Sequence, residues 1–367
     1  MQPSISQQSG VAYTNHYPNQ YVAPYLNHPL SKIDGDLTKR EWELADWSDF
    51  FQDIRGFGDA PNKDQPPSTC STRVKMLWDD DYLYIGAILE TDNTEYPVVT
   101  TFRKRNEPIF QQDSDFEVFV DPTSTTHNYK EFEANAWNTI WNLMLDKPYS
   151  DGGAEHSGRV AKDPNDPFYY EVKDQTSATK IVEGELNASQ GRTKWSIEIK
   201  MSFQDLLAST SNRMMPGIGT RWRINFSRVE RKGLINWVWQ PQIQWNGTRY
   251  KGEVNMHLPN AWGYLVFGKD RRHPSGKDPE WPLRMAAMNI YVAQHLYFDK
   301  YSAYASSLEE LKPWLDRVLM KEFPVVSFFE CSNQTFIATI RDDIHQATIR
   351  NDRFLQVEAL LVQQQQQ

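Results

Sequence analysis

The sequence predicts a mostly β protein: a β-sandwich followed by a small α+β unit. Three observations carry this. Short runs of strand character alternate with turn signals from about residue 29 to 268. Beyond a polar, proline-containing run at 269–279 the apolar spacing changes to that of a helix. Within 113–141, DSDFEVFVDPTSTTHNYKEFEANAWNTIW, the residues alternate in character with a period of two.

Along the chain, residues 1–28 are Gln, Asn, Ser, Tyr and Pro without periodicity and read as a disordered tail, as does the Gln-rich end at 361–367. The domain from 29 to 268 opens with a short helical stretch at 41–45. Strands are expected at 74–78 and 82–89, joined by a turn at Asp79, Asp80 and Asp81. Strands follow at 116–120 and 131–145, separated by the turn-rich 122–128. Further strands are expected at 180–186, 194–200, 222–228, 235–239 and 263–267, with one helical turn at 202–207. Many short strands and few helices indicate a sandwich.

Residues 269–279 read as a linker to a unit at 280–360. Pro282 suits a helix start, and Leu283, Ala286, Ile290, Ala293 and Tyr297 recur at helical spacing. A capping box at 306–309 opens a second helix over 308–319. Strands are expected at 325–330, 335–341 and 354–357.

Composition limits function. A net charge of −9 disfavours nucleic acid or an anionic membrane as the main partner, since both call for a basic face. No apolar run is long enough to span a membrane. The N-terminus shows no signal-peptide pattern, which favours a cytoplasmic location and leaves an extracellular one open. Cys70 and Cys331 can form at most one bridge. With 13 Trp and 17 Tyr, the chain is rich in rings that present an apolar body and a polar tip.

The alternation in 113–141 sorts the side chains. Phe116, Val118 and Val120 point one way; Asp115, Glu117, Phe119 and Asp121 point the other. Phe132, Ala134 and Ala136 share a face opposite Glu131, Glu133, Asn135, Trp137 and Trp141. One sheet face is core-like, and the other mixes acid, amide and indole. Indoles stack on pyranose rings, and carboxylates and amides bond their hydroxyls, so the second face suits a saccharide ligand. It is expected to be a wet, ring-lined concavity open to solvent. The plain alternative is a solvated outer face with its tryptophans tucked under a loop.

The stretches at 33–45 (Ile33-Asp-Gly-Asp-Leu, then Glu41-Trp42 and Ala45), 72–87, 116–122 and 129–138 resemble the family 9 carbohydrate-binding module, as do the later 195–201 and 260–267. The resemblance spans about 29–268. It implies a jelly-roll-like sandwich that binds saccharides without catalysis, in the context of polysaccharide catabolism, and it implies structural calcium. It assigns a sugar-contacting carboxylate to Glu117. At the two positions where the family carries clamping tryptophans this chain has Phe110-Gln111 and Met256-His257, and Glu133 stands where the family has an arginine.

Asn135 joins Glu117 as an expected hydrogen-bonding anchor, with Trp137, Trp141 and Phe110 as apolar wall and Asp115 and Trp237 as further contacts. Arg103 and Arg105 are expected either to pair with Asp113 and Asp115 or, for Arg103, to reach the ligand. Asp79 and Asp81 are weak candidates for a hard cation, and Asp34 and Asp36 invite the same question. No cofactor is required. Two alternatives stay open. One is a glycoside hydrolase pairing Glu117 with Glu131 or Glu133. The other is a scaffold with a degenerate sugar site that meets a protein partner through 280–360.

Overall fold

The computed structural model describes residues 12–61, 64–323 and 326–360. The expected Gln-rich tail and residues 1–11 lie outside the described residues. The chain divides into two compact units. One comprises 18–242 and 252–276; the other comprises the remainder.

Among the described residues, the strands of the first part of the chain are β1 (Gln20–Pro24), β2 (Gln52–Asp53), β3 (Ser71–Trp78), β4 (Tyr82–Asp92) and β5 (Asp115–Asp121). They continue with β6 (Tyr129–Asn135), β7 (Ile140–Leu145), β8 (Glu155–His156), β9 (Gln175–Glu183) and β10 (Arg192–Ser202). Then come β11 (Arg221–Glu230), β12 (Ile235–Val238), β13 (Ile243–Trp245), β14 (Tyr250–Gly252) and β15 (Gly263–Gly268).

Two sheets build the sandwich of the first unit. The larger runs β1-β15-β11-β5-β6-β7-β8, with β12 and β2 attached beyond β11; the smaller runs β3-β4-β10-β9. Pairing is antiparallel except for β1 on β15. The core lies between the sheets. Val74, Met76, Ile85, Ile197 and Ile199 of the small sheet meet Phe116, Val118, Phe132, Ile224 and Phe226 of the large one. Burying such side chains stabilises each by about 1.5–3 kcal/mol relative to exposure.

Two expectations need correction here. Within the tail expected at 1–28, the described residues form a 3-10 turn at Tyr13–His16 and strand β1. Parallel pairing with β15 and burial of Tyr21 and Ala23 in the core order β1, and two inward side chains in five residues are too short a pattern to mark a strand. The single strand expected at 131–145 is a hairpin of β6 and β7. Asn138 adopts φ 62°, the left-handed conformation a tight turn needs and one that Asn tolerates.

The second unit holds the β13–β14 hairpin, a helix over Trp281–Tyr301, and a four-stranded antiparallel sheet. That sheet runs β16 (Val326–Cys331), β17 (Phe336–Arg341), β18 (His345–Arg350), β19 (Leu355–Ala359) in order. The long helix packs across it, burying Leu283, Ala286, Ile290 and Ala293 on the helical spacing expected. The second helix does not continue over 308–319. It is one turn, Leu308–Leu311, followed by a 3-10 turn at Lys312–Trp314. Pro313 removes the amide an α-helix would need. Its cap is Ser307 with Glu310, one residue later than expected. Among the described residues no helix is long and apolar enough to cross a membrane.

Candidate functional site

The register of β5, β6 and β7 decides which side chains meet. Glu117 lies opposite Glu133, Asp115 opposite Asn135 and Phe119 opposite Glu131. On the next strand Trp141 lies opposite Glu133, and Leu143 opposite Glu131. Directly opposed residues share a face. Asp115, Glu117, Glu131, Glu133 and Trp141 therefore gather on the outer face of the large sheet. Phe116, Val118, Val120, Phe132 and Ala134 turn into the core, as the alternation predicts.

The expectation of a face open to solvent is overturned. Asp115 is 0% exposed, Glu133 2%, Trp141 3%, and Glu117 and Glu131 5% each. A second apolar layer covers the face. It contains Ile54, Phe119, Tyr129, Trp141, Val238, Met256 and Trp262, with Phe110 packed against it. Phe110 stacks on Trp141 with centroids 5.6 Å apart, and the Arg159 guanidinium lies 4.1 Å from the same indole. Arg159 is held there by an ion pair with Glu155. The ring of His257 meets Tyr149 at 4.7 Å and Phe119 at 5.9 Å. So Phe110 and the 256–257 pair do reach this face, but as part of a lid over the acids.

Several oxygens of the buried carboxyls lack partners, although Ser227 hydrogen-bonds Glu117 and Glu131 hydrogen-bonds Glu133. Neither oxygen of Asp115 is hydrogen-bonded, and neither Oε2 of Glu131, Oε2 of Glu133 nor the Trp141 Nε1 finds a partner. Buried polar groups in folded proteins are nearly always paired, so a concentration of exceptions on one face calls for a reason. Burial, then the charges of Glu117, Glu230, Asp113 and Glu131, push the Asp115 carboxyl well above the usual carboxylate range. Burial and the neighbouring acids do the same to Glu131 and Glu133. Burial pushes Glu117 up to about 7, opposed by a hydrogen bond from Ser227.

The remaining expected residues fall elsewhere. Asn135 is a structural anchor rather than a free ligand-binding amide. Its Nδ2 donates to Asp113 at 2.7 Å and to the Phe102 carbonyl at 3.1 Å. Its Oδ1 accepts from the amides of Trp137 and Thr139, closing the β6–β7 turn. Trp137 is 56% exposed at that turn, with the Arg103 guanidinium 4.5 Å over its ring. Arg103 donates to the carbonyls of Phe102 and Thr100, and Arg105 pairs with Glu171, so neither makes the expected pair with Asp113 or Asp115. Asp113 is satisfied by the amides of Thr101 and Phe102. Trp237 is a core residue, 1% exposed, whose Nε1 donates to the Asp64 carbonyl.

Carboxylates of the Asp-rich turns are engaged by groups of the chain itself. Asp79 accepts from the amides of Asp81 and Tyr82 and from the Tyr84 hydroxyl. Asp34 and Asp36 pair with Lys39 and Lys180. The sequence reading missed Tyr149, Glu155 and Arg159, which are placed by tertiary packing.

A family model described as "Carbohydrate family 9 binding domain-like" matches residues 33–258. Among solved structures, similar chains include a protein of Bacteroides uniformis described as a candidate carbohydrate-binding protein. It is 13% identical, with a TM-score of 0.46, covering 68% of this chain and 99% of that one. A family 9 carbohydrate-binding module of Caldicellulosiruptor kristjanssonii, solved with cellotriose and with glucose, is 14% identical with a TM-score of 0.38, covering 71% of this chain and 100% of that one. A search of curated proteins finds no match.

Proposed function

We propose, from the premise that this chain belongs to the carbohydrate family 9 binding domain-like family, that it binds a saccharide without transforming it. The ligand would lie on the outer face of β5–β6–β7. One observation supports this placement. Unpartnered carboxylate oxygens and one unpartnered indole N–H sit on a single face beside aromatic rings. Sugar hydroxyls donate to the first and accept from the second, while ring C–H faces pack on Trp141 or Phe110. Glu117, the carboxylate that the family resemblance singles out, is central to that face.

Entry requires the cover to move. Arg159 occupies a flank of Trp141 that a pyranose would use, and it stands on an exposed segment. Trp137 and Arg103 form an exposed rim at the end of the same hairpin. Losing a hydrogen bond to a charged group costs about 1.5–3 kcal/mol, roughly 10- to 100-fold in affinity. A glycan array followed by calorimetric titration, with glucose and cellotriose among the probes, tests the reading. Glu117→Gln is expected to abolish or sharply weaken the signal, and Arg159→Ala to strengthen it. No saccharide bound by the wild type, or equal binding by Glu117→Gln, would overturn it.

Cleavage by the same carboxyls is the competing reading, favoured by the short spacing of Glu117 and Glu133, whose oxygens lie within 4.8 Å. A glycosidase needs an ionised carboxylate beside a protonated one. Glu133 is pushed well above the usual range and Glu117 up to about 7, so Glu117 is the readier of the two to ionise, and turnover separates the two readings. Release of reducing ends from a bound glycan, lost in Glu117→Gln, would favour the hydrolase.

A further inference from the structure

We infer that the cleft between the start of β1 and the segment 46–49 is a second, separate binding site, which takes one neutral, polyhydroxylated ring of monosaccharide size. The inference goes beyond the reading above and stands without it. The cleft has a volume of about 260 Å3 and is lined by residues 19–22, residues 46–49, Trp239 and Arg271. All of them belong to the first unit. In the large sheet β15 and β11 stand between β1 and β5, so β1 lies three interstrand steps of about 4.8 Å from the strand that carries Glu117.

The walls are fixed by hydrogen bonds of the chain itself. The Tyr21 hydroxyl donates to the Asp46 carbonyl at 2.6 Å and accepts from the Met76 amide. The Ser48 amide donates to the Val74 carbonyl at 2.9 Å, and Ser48 Oγ accepts from the Val74 amide at 3.0 Å. Asn19 Nδ2 donates to the Trp239 carbonyl at 2.8 Å. Asp46 and Asp49 are exposed at the mouth and Trp47 is half-buried. Unlike the outer face of β5–β6–β7, this cleft is preformed and admits a ligand without any cover moving.

An unused donor in its depth marks the cleft as a site. Trp239 is 2% exposed, yet its indole N–H meets no acceptor among the described residues. A Cβ at Gly263 would collide with Cζ3 and Cη2 of Trp239, so that edge of the ring is held against β15 and the N–H projects from the opposite edge. A buried donor left unmet is costly, and a ligand oxygen in the cleft would meet it. Trp47 adds a second indole N–H without an acceptor among the described residues.

The charges around the cleft select the ligand. Arg271 pairs with Asp46 at 3.1 Å, and the Asp49 carboxylate has no cation beside it among the described residues. The Arg73 guanidinium and the Lys75 ammonium lie 5.2 and 4.9 Å from the Trp47 ring. An anion would face Asp46 and Asp49; a cation would face Arg271 and the two groups at Trp47. A hydroxyl both donates and accepts, so a neutral polyol can take from the indole N–H groups and give to the carboxylates. The volume falls just below the roughly 300–1,000 Å3 of sites for drug-sized molecules, which limits the ligand to about one ring.

The test labels the full chain isotopically in nitrogen and follows its indole N–H signals by NMR during titration with glucose, mannose, galactose and xylose. Trp47→Phe, Trp141→Phe and Trp239→Phe assign the three signals needed. The expected result is a saturable shift of the Trp47 and Trp239 signals with at least one of these sugars, retained in Glu117→Gln. The affinity should weaken by roughly threefold or more in Asp49→Asn and, read at Trp47, in Trp239→Phe, which keeps a ring in the core but lacks the N–H. Melting temperatures show that both variants fold. Neither signal moving with any of the four sugars, movement lost in Glu117→Gln, or full affinity in both folded variants would overturn the inference. The Trp141 signal reports the face of β5–β6–β7 separately, so a failure there is distinguishable from a failure here.

Discussion

The two sheets of the sandwich each carry buried glutamate on the outer face, and the two faces treat it in opposite ways. On the small sheet, Glu198 is 0% exposed. Its Oε2 accepts from the amides of Asp34 and Gly35 and from Lys39 Nζ, and its Oε1 accepts from Trp42 Nε1 at 2.7 Å. The covering segment is tied down by that carboxylate, and Leu26, Leu30, Trp42, Leu77 and Tyr84 complete an apolar patch around it. Even Gly86 belongs to this fit, since a Cβ there would lie 2.6 Å from Leu37 Cδ2. On the large sheet, Asp115, Glu131 and Glu133 are as deeply buried, yet oxygens of each meet no donor. The difference teaches that burial alone does not mark a carboxylate as structural. The supply of donors does. A face whose acids are fully partnered fastens the fold, and one with bare oxygens keeps hydrogen-bonding capacity that the chain itself does not use.

The largest effect should come from breaking the satisfied side of that comparison. Glu198→Ala strands Lys39, two amides and an indole N–H, and should cost about 3 kcal/mol by urea denaturation. A loss under about 1 kcal/mol would mean that this carboxylate fastens little.

The next effect is a dependence on pH. Glu117 is raised from 4.5 to about 7 by burial, so the unfolded chain releases its proton first. Stability conferred by the protonated form is then complete below pH about 4.5 and declines as pH rises towards 7. For this one group the decline amounts to roughly 3 kcal/mol. Denaturation midpoints at pH 5 and pH 8 should differ in that direction, and the difference should shrink in Glu117→Gln. A flat or inverted dependence would show that these acids are not held protonated.

Smaller, and opposite in sign to the Glu198 change, Glu133→Gln should leave stability unchanged or raise it by about 1 kcal/mol, because it removes one of four crowded acids. Smallest of all, Trp137→Ala at the exposed rim should move stability by less than about 0.5 kcal/mol, read by thermal unfolding.

Much of this arrangement is legible in the sequence, because it follows from a period of two. The alternation of Phe116, Val118 and Val120 against Asp115, Glu117 and Phe119 sets both faces, and the antiparallel register does the rest. What the alternation cannot reveal is what lies above a face. Arg159 and Tyr149 arrive from loops of no regular period, and they turn a predicted open groove into a covered one. Nor can composition tell which polar side chain is already in use. Asn135 and Trp237 look like ligand-binding residues in the sequence, but one fastens a turn and the other fills the core. Strand β1 is hidden for a related reason: beyond the burial of Tyr21 and Ala23, its order comes from pairing with β15, a partner far along the chain.

The central claim is that the bare acids of the large sheet receive a saccharide. A glycan array probed with the intact chain and with Glu117→Gln tests it most directly. The account predicts that the wild type retains at least one glycan and that the variant loses it by tenfold or more, while its melting temperature shows an intact fold. An intact variant that holds the same glycan as firmly as the wild type, or a wild type that holds none, would contradict it.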